Sequence, residues 1–256
     1  MTFPSRLEQT AKRNKSNIIL ALDFPFEKVE QRQKLLFTAQ KVLDAAHPFL
    51  CAVKINHHLT LPLGLFDGVQ GLVQKAHDLG LLAVMDCKVN DIGATNQVIA
   101  EYYYSAGFDA LIANPFIGWE EGLKPIFDVA DKTQRGVILL VYMSHKGALD
   151  GYGQTVVDAE TGEKTSQYII FAKKALQYKA DGAIVGATYP EKIREIRQIL
   201  EEKVPIISPG IGAQGGEVEA AVKAGAKYLI VGRAVAQATN PATAAKEFRD
   251  RADQAL

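Results

Sequence analysis

The sequence predicts an α/β protein, a single-domain (β/α)8 TIM barrel over residues 1–256. Three observations carry that expectation. Eight short, almost continuously apolar runs recur along the chain, and each connection between them is long enough for one helix. Strands covered by helices on both faces read this way. The length of 256 residues is also the usual size of an eightfold barrel. A doubly wound open sheet would carry fewer strands and an early phosphate loop, but no G-x-G-x-x-G follows the first run.

In order, the runs are NIILALDF (17–24), FLCAVKIN (49–56), LLAVMDCKV (81–89), DALIANPF (109–116), GVILLVYMS (136–144), GAIVGAT (182–188), PIISPGIG (205–212) and YLIVGRAV (228–235). Between them, VEQRQKLLFTAQKVLDAA (29–46) and EKIREIRQILEEK (191–203) space apolar residues three and four apart, as amphipathic helices do. One connection differs. Residues 145–167, HKGALDGYGQTVVDAETGEKTSQ, are polar, glycine-containing and aperiodic at their start. A long loop after a barrel strand lies on the C-terminal face, so this one is expected to be an active-site lid.

Composition excludes several classes. Acidic and basic residues balance at 29 each, and no basic stripe offers itself to nucleic acid. No apolar run approaches the roughly 18 residues of a membrane span. The polar start MTFPSRLEQTAKRNK lacks the apolar centre of a signal peptide. Cys51 and Cys87 lie in apolar runs without metal-knuckle or disulfide spacing, and read as buried, reduced thiols. The expectation is a cytoplasmic protein.

Chemistry is expected where the first three runs end. Asp23, Lys54, Asp86 and Lys88 fall at these strand ends, and Asp91 lies in the loop just beyond. Residues two apart on a strand share a face, so Asp86 and Lys88 should both look into the barrel mouth. A lone aspartate there is usually a turn cap, and a lone lysine is usually solvated. Convergence from three successive strands is harder to explain that way, because an unpaired buried charge is costly. Opposite charges hold one another ionised. A lysine so held can serve as a general acid, and a fixed carboxylate beside it disfavours an anionic substrate group. The pattern points to proton transfer at carbon, coupled to loss of a carboxylate.

The last two runs read differently. SPGIGAQGG (208–216) and VGRAV (231–235) occupy the positions where barrels commonly bind phosphate. Gly232 permits close approach of the backbone, Arg233 can pair bidentately with phosphate oxygens, and Gln214 can reach across from the neighbouring loop. A small phosphorylated substrate is expected.

The ordered set ALDF, VKIN, DCKVNDIGATN, MSHKG, SPGIGAQGG and VGRAV resembles the orotidine 5′-phosphate decarboxylase family over nearly the whole chain, nearest to its compact archaeal-type branch. The resemblance implies decarboxylation of orotidine 5′-monophosphate to uridine 5′-monophosphate in pyrimidine biosynthesis, with neither metal nor organic cofactor. It implies a catalytic array of Lys54, Asp86, Lys88 and Asp91. Lys88 would protonate C6 as CO2 leaves, while Asp86 crowds the substrate carboxylate. Asp23 and Lys54 would bind ribose hydroxyls. Asp91, Ile92 and Thr95 would enter the partner's site across a homodimer interface. Ser144 would contact the pyrimidine and fasten the lid, Pro209 would line the base pocket, and Gln214, Gly232 and Arg233 would hold the 5′-phosphate.

Two features depart from the family pattern. Gly93 stands where many members carry proline, and residues 150–166 are longer than in compact members. Two other readings compete. Magnesium-dependent sugar-phosphate decarboxylases and hexulose-phosphate synthases are similar on the third strand, but carry a glutamate ligand on the second, where this chain has Lys54. A catalytically silent nucleotide-binding barrel would have no use for Asp86 beside an anionic ligand. His57 and His58, adjacent and so on opposite faces of any regular strand, read as ordinary loop histidines, and His145 as a hinge or cap.

Overall fold

The computed structural model describes residues 1–212 and 214–255. Among the described residues ten strands appear: β1 (Ile18–Ala21), β2 (Ala52–Asn56), β3 (Leu82–Val89), β4 (Ala110–Ala113), β5 (Gly136–Tyr142), β6 (Thr155–Val157), β7 (Lys164–Ser166), β8 (Gly182–Val185), β9 (Ile206–Pro209) and β10 (Tyr228–Val231). All except β6 and β7 close a parallel barrel in the order β1-β10-β9-β8-β5-β4-β3-β2, so every apolar run supplies one barrel strand. Inward residues such as Ile19, Val84, Leu140 and Ile230 fill the barrel, and their outward neighbours Leu20, Met85, Val141 and Val231 pack under the helices. No described helix is long and apolar enough to cross a membrane. Both cysteines are free, Cys51 buried and Cys87 partly exposed.

The N-terminal stretch, polar in composition, folds as a helix over Phe3–Asn14. Its Phe3, Leu7 and Ala11 are four residues apart and join the inner core, closing the bottom of the barrel. Near that end Asp109, 1% exposed, accepts hydrogen bonds from Arg6 (2.5 Å), Arg135 (2.8 Å) and the Ala83 N–H (2.9 Å), with His77 at 2.8 Å. Ties at this face stabilise the barrel and leave chemistry to the opposite rim.

Residues 145–167 are less irregular than their composition indicates. They form a helical turn, Ala148–Gly151, and the antiparallel hairpin β6–β7. Tyr142 packs edge-on against Tyr168 and Tyr189, while Tyr152 packs against Phe171. Asp158 pairs with Lys173 at 2.7 Å, tying the hairpin to the helix Gln167–Gln177.

Candidate active site

The C-terminal ends of the barrel strands surround a cavity of about 610 Å3. Its floor is aliphatic, built by Ala21, Ile112, Leu140, Ile184 and Ile230. Charge gathers where β2 and β3 emerge. Register pairs Ala21 with Lys54 and Asn56 with Asp86, which sets the ends of the first three strands side by side.

Asp86 is the centre of this charged wall. It is 7% exposed and both oxygens are engaged: Lys54 Nζ donates to Oδ2 at 2.5 Å and Lys88 Nζ to Oδ1 at 2.6 Å. Burial alone would push the Asp86 carboxyl up. The two ammonium groups, by charge and by hydrogen bond, outweigh burial and bring it down to about 2. The carboxylate therefore stays ionised at neutral pH. The Lys54 side chain is 7% exposed and that of Lys88 40%, so Lys88 is the more open to a ligand.

Asp86 and Lys88 share the inward face, as alternation requires, but the strand is not regular there. Lys88 has a left-handed φ of +48°, and the ladder from β3 to β4 shifts between Met85 and Val89. A left-handed non-glycine residue costs on the order of 1 kcal/mol. Its retention in a lysine that lines the cavity fits a functional position.

Asp23 lies two residues past β1, Ser144 just after β5, and Pro209 at the end of β9; all three line the same cavity. Gln214, Gly232 and Arg233 complete the opposite wall. The helix beginning at Arg233 is a single turn, Arg233–Ala236. So short a helix offers little dipole to an anion, and the wall's means of holding one are the Arg233 guanidinium and local N–H groups.

Asp91, Ile92 and Thr95 are not brought into this cavity within one chain; all three are exposed. Their turn is nonetheless well braced. Buried Asn96 donates to the carbonyls of Asp91 (2.5 Å) and Gly122 (2.8 Å), and its Oδ1 accepts from Asp91 N–H at 3.1 Å. Gly93, where proline was the family expectation, abuts the Glu121 backbone so closely that a Cβ would lie 2.9 Å from its carbonyl. Asp91 lines a second hollow of about 670 Å3 with Leu61, Phe66 and Tyr102, and Lys88 borders both cavities. Leu61 is 80% and Phe66 50% exposed, an apolar face beside the site.

No residue of 145–167 lines the first cavity; the segment lies folded on the barrel wall in this conformation. Asn56, His58 and Gln237 do line it, although the sequence reading gave them no role. Asn56 was visible as the last residue of VKIN, one pleat beyond Lys54. His57 and His58, expected in a loop, instead open the helix His57–Leu63 capped by Asn56, with His58 lining the first cavity and His57 the second hollow. His145 is exposed, and its carbonyl accepts from the Tyr189 hydroxyl at 3.2 Å. Among the described residues, no group of three or more His, Cys, Asp or Glu side chains is placed to hold a metal ion.

Comparison with known proteins agrees with this geometry. The orotidine 5′-phosphate decarboxylase / HUMPS family model matches residues 16–248. An orotidine 5′-phosphate decarboxylase of Methanosarcina acetivorans is 34% identical over 233 residues, 91% of this chain and 93% of its own. That of Pyrococcus furiosus is 36% identical over 231 residues, 90% of this chain and 95% of its own. The crystal structure of orotidine 5′-monophosphate decarboxylase from Methanocaldococcus jannaschii, complexed with the inhibitor BMP, aligns with a TM-score of 0.75 at 29% identity. It covers 91% of this chain and 97% of that one. With its barrel, its charged rim and this span of similarity, the chain belongs to the orotidine 5′-phosphate decarboxylase / HUMPS family.

Proposed function

We propose that the protein converts orotidine 5′-monophosphate to uridine 5′-monophosphate and CO2, a step of pyrimidine biosynthesis. The observation that carries this reading is Asp86 held ionised between Lys54 and Lys88 on the cavity wall. The 5′-phosphate binds at Gln214, Gly232 and Arg233, the ribose at Asp23 and Lys54, and the pyrimidine between Ser144 and Pro209, above the aliphatic floor. The substrate carboxylate then meets Asp86, whose charge protonation cannot relieve near neutral pH.

The C6–carboxylate bond breaks, its electron pair stays on C6, and CO2 departs. A proton moves from Lys88 Nζ to C6, and solvent returns one to the amine. Contacts to phosphate and ribose, remote from C6, supply binding energy that is used at the transition state. An aliphatic floor raises the cost of the carboxylate's charge and suits neutral CO2. No metal or organic cofactor enters these steps.

Asp91, Ile92 and Thr95 act in a partner's site across a homodimer interface formed by the apolar face around Leu61, Phe66 and Tyr102. Their exposure, and the position of Lys88 at the border of both cavities, support this. Residues 145–167 serve as a cover only if they leave the barrel wall. The free thiols of Cys51 and Cys87 fit work in the reducing cytoplasm.

The magnesium-dependent alternative is disfavoured by Lys54, a cation paired to Asp86 on the strand where those enzymes carry a glutamate ligand. The test is the ultraviolet absorbance of orotidine 5′-monophosphate incubated with the protein in excess EDTA. Conversion at an undiminished rate is expected. Conversion only with added magnesium, or none at all, would overturn the reading.

A further inference from the structure

We propose that Asn56 and Gln237 are positioning residues that clamp Asp23 as the reader of the ribose hydroxyls; the proposal rests on the decarboxylase reading above. Asp23 follows β1, and the strands flanking β1 in the barrel are β2 and β10. Each flank contributes one carboxamide. Asn56, the last residue of β2, donates from Nδ2 to Asp23 Oδ1 at 2.7 Å. Gln237, just after the turn that follows β10, donates from Nε2 to the Asp23 carbonyl at 2.9 Å. One fixes the side chain and the other the backbone.

The orientation of the Asn56 amide is forced by its partners. Its Oδ1 accepts from the His58 N–H at 2.9 Å. A backbone N–H can only donate and a carboxylate only accept, so the NH2 must face Asp23. Gly232 gives Asp23 its room, since a Cβ there would lie 2.7 Å from Asp23 Oδ2. Among the described residues, Oδ2 accepts no hydrogen bond, although Asp23 lines the cavity. The carboxylate is thus held by one oxygen and offers the other. A vicinal diol is the chemistry that this arrangement receives. An aspartate ordered before binding spares the ligand the entropy of ordering it.

The test compares inhibition by uridine 5′-monophosphate with inhibition by its 2′-deoxy and 3′-deoxy analogues. The proteins are wild type, Asp23→Ala, Asn56→Ala, Asn56→Asp and Gln237→Ala, each with its melting temperature measured. Wild type should prefer the ribonucleotide over at least one analogue, and Asp23→Ala should erase that preference. Asn56→Ala should reduce it roughly tenfold, the loss of one hydrogen bond to a charged group, with binding of that analogue little changed. Gln237→Ala should move the ratio in the same direction.

Asn56→Asp is the decisive arm. It keeps the acceptor for His58 N–H but sets a carboxylate against Asp23, so it should lose the preference at least as fully as Asn56→Ala. Ratios unchanged in Asn56→Asp, or all three nucleotides weakened alike in both Asn56 variants, would show a structural cap only and overturn the proposal. A wild type or Asp23→Ala protein that breaks the expected pattern while orotidine 5′-monophosphate is still turned over would overturn the clamp and leave the decarboxylase reading standing. Absence of turnover by wild type would overturn that reading itself.

Discussion

Lys54 Nζ lies 2.5 Å from Asp86 Oδ2, and each side chain is less than one-tenth exposed. Removing one member of a buried pair leaves a charge without its counter-ion, which is far more costly than exchanging both for apolar groups. Lys54→Met should therefore destabilise the protein by about 3 kcal/mol in urea unfolding, with Lys88 as the remaining partner of Asp86. Lys54→Met paired with Asp86→Leu should recover part of that loss. A double variant whose loss equals the sum of the Lys54→Met and Asp86→Leu losses would mean that the pair is not coupled.

Acid should act on the same carboxylate. Asp86 has a folded-state value of about 2, below its ordinary 3.8, so the unfolded chain takes up its proton first. Its contribution, about 2 kcal/mol, is fully present above roughly pH 4 and is lost as pH falls through 2. The melting-temperature gap between wild type and Asp86→Asn should be constant near neutrality and shrink between these values. A gap that widens on acidification contradicts the assigned direction.

Two glycines separate crowding from helix propensity. A Cβ on Gly186 would lie 2.6 Å from Ser144 Cα and 2.8 Å from its nitrogen, both backbone atoms that cannot yield cheaply. Gly186→Ala should cost about 1–3 kcal/mol and weaken nucleotide binding by displacing Ser144. Gly71, in the helix Gln70–Asp78, has nothing within 4 Å of the same position. Gly71→Ala should stabilise by roughly 0.5–1 kcal/mol with activity intact. Calorimetry on both variants checks the contrast.

Lys88 and Asp91 should complement one another between chains. If each site joins Lys88 of one protomer to Asp91 of its partner, Lys88→Ala and Asp91→Ala proteins are each inactive alone. Remixed after dissociation, they should recover about one quarter of wild-type activity, because half the dimers are mixed and each carries one intact site. No recovery, although mixed dimers are detected, places Asp91 with its own Lys88.

Most of the barrel and much of the rim were legible in the sequence, for local reasons. A parallel strand under helices must be apolar throughout, so charges in it stand out: Asp86 and Lys88 near the end of LLAVMDCKV, and Lys54 inside FLCAVKIN, two residues before the end of β2. What was hidden depends on chain closure. The tie from Gln237 to Asp23 spans 214 positions and that from Asn56 spans 33, and neither leaves a mark in local pattern. The Phe3–Asn14 helix did leave one, since Phe3, Leu7 and Ala11 recur every four residues, but its polar remainder masked it. In 145–167 the T-V-V run and the T-G turn were the only traces of the β6–β7 hairpin. The left-handed Lys88 had no local signal at all, because nothing in D-C-K-V requires it.

The central claim is that Lys88 delivers the proton that completes decarboxylation. Its most direct test is the rate of orotidine 5′-monophosphate conversion by Lys88→Ala beside wild type, with uridine 5′-monophosphate affinity measured on both. The account predicts a fall in kcat of at least roughly 10²–10⁴-fold, the range of a lost general acid, with affinity for the product within a few-fold of wild type. Near-normal turnover by Lys88→Ala, or product affinity lost in proportion to rate, would contradict it.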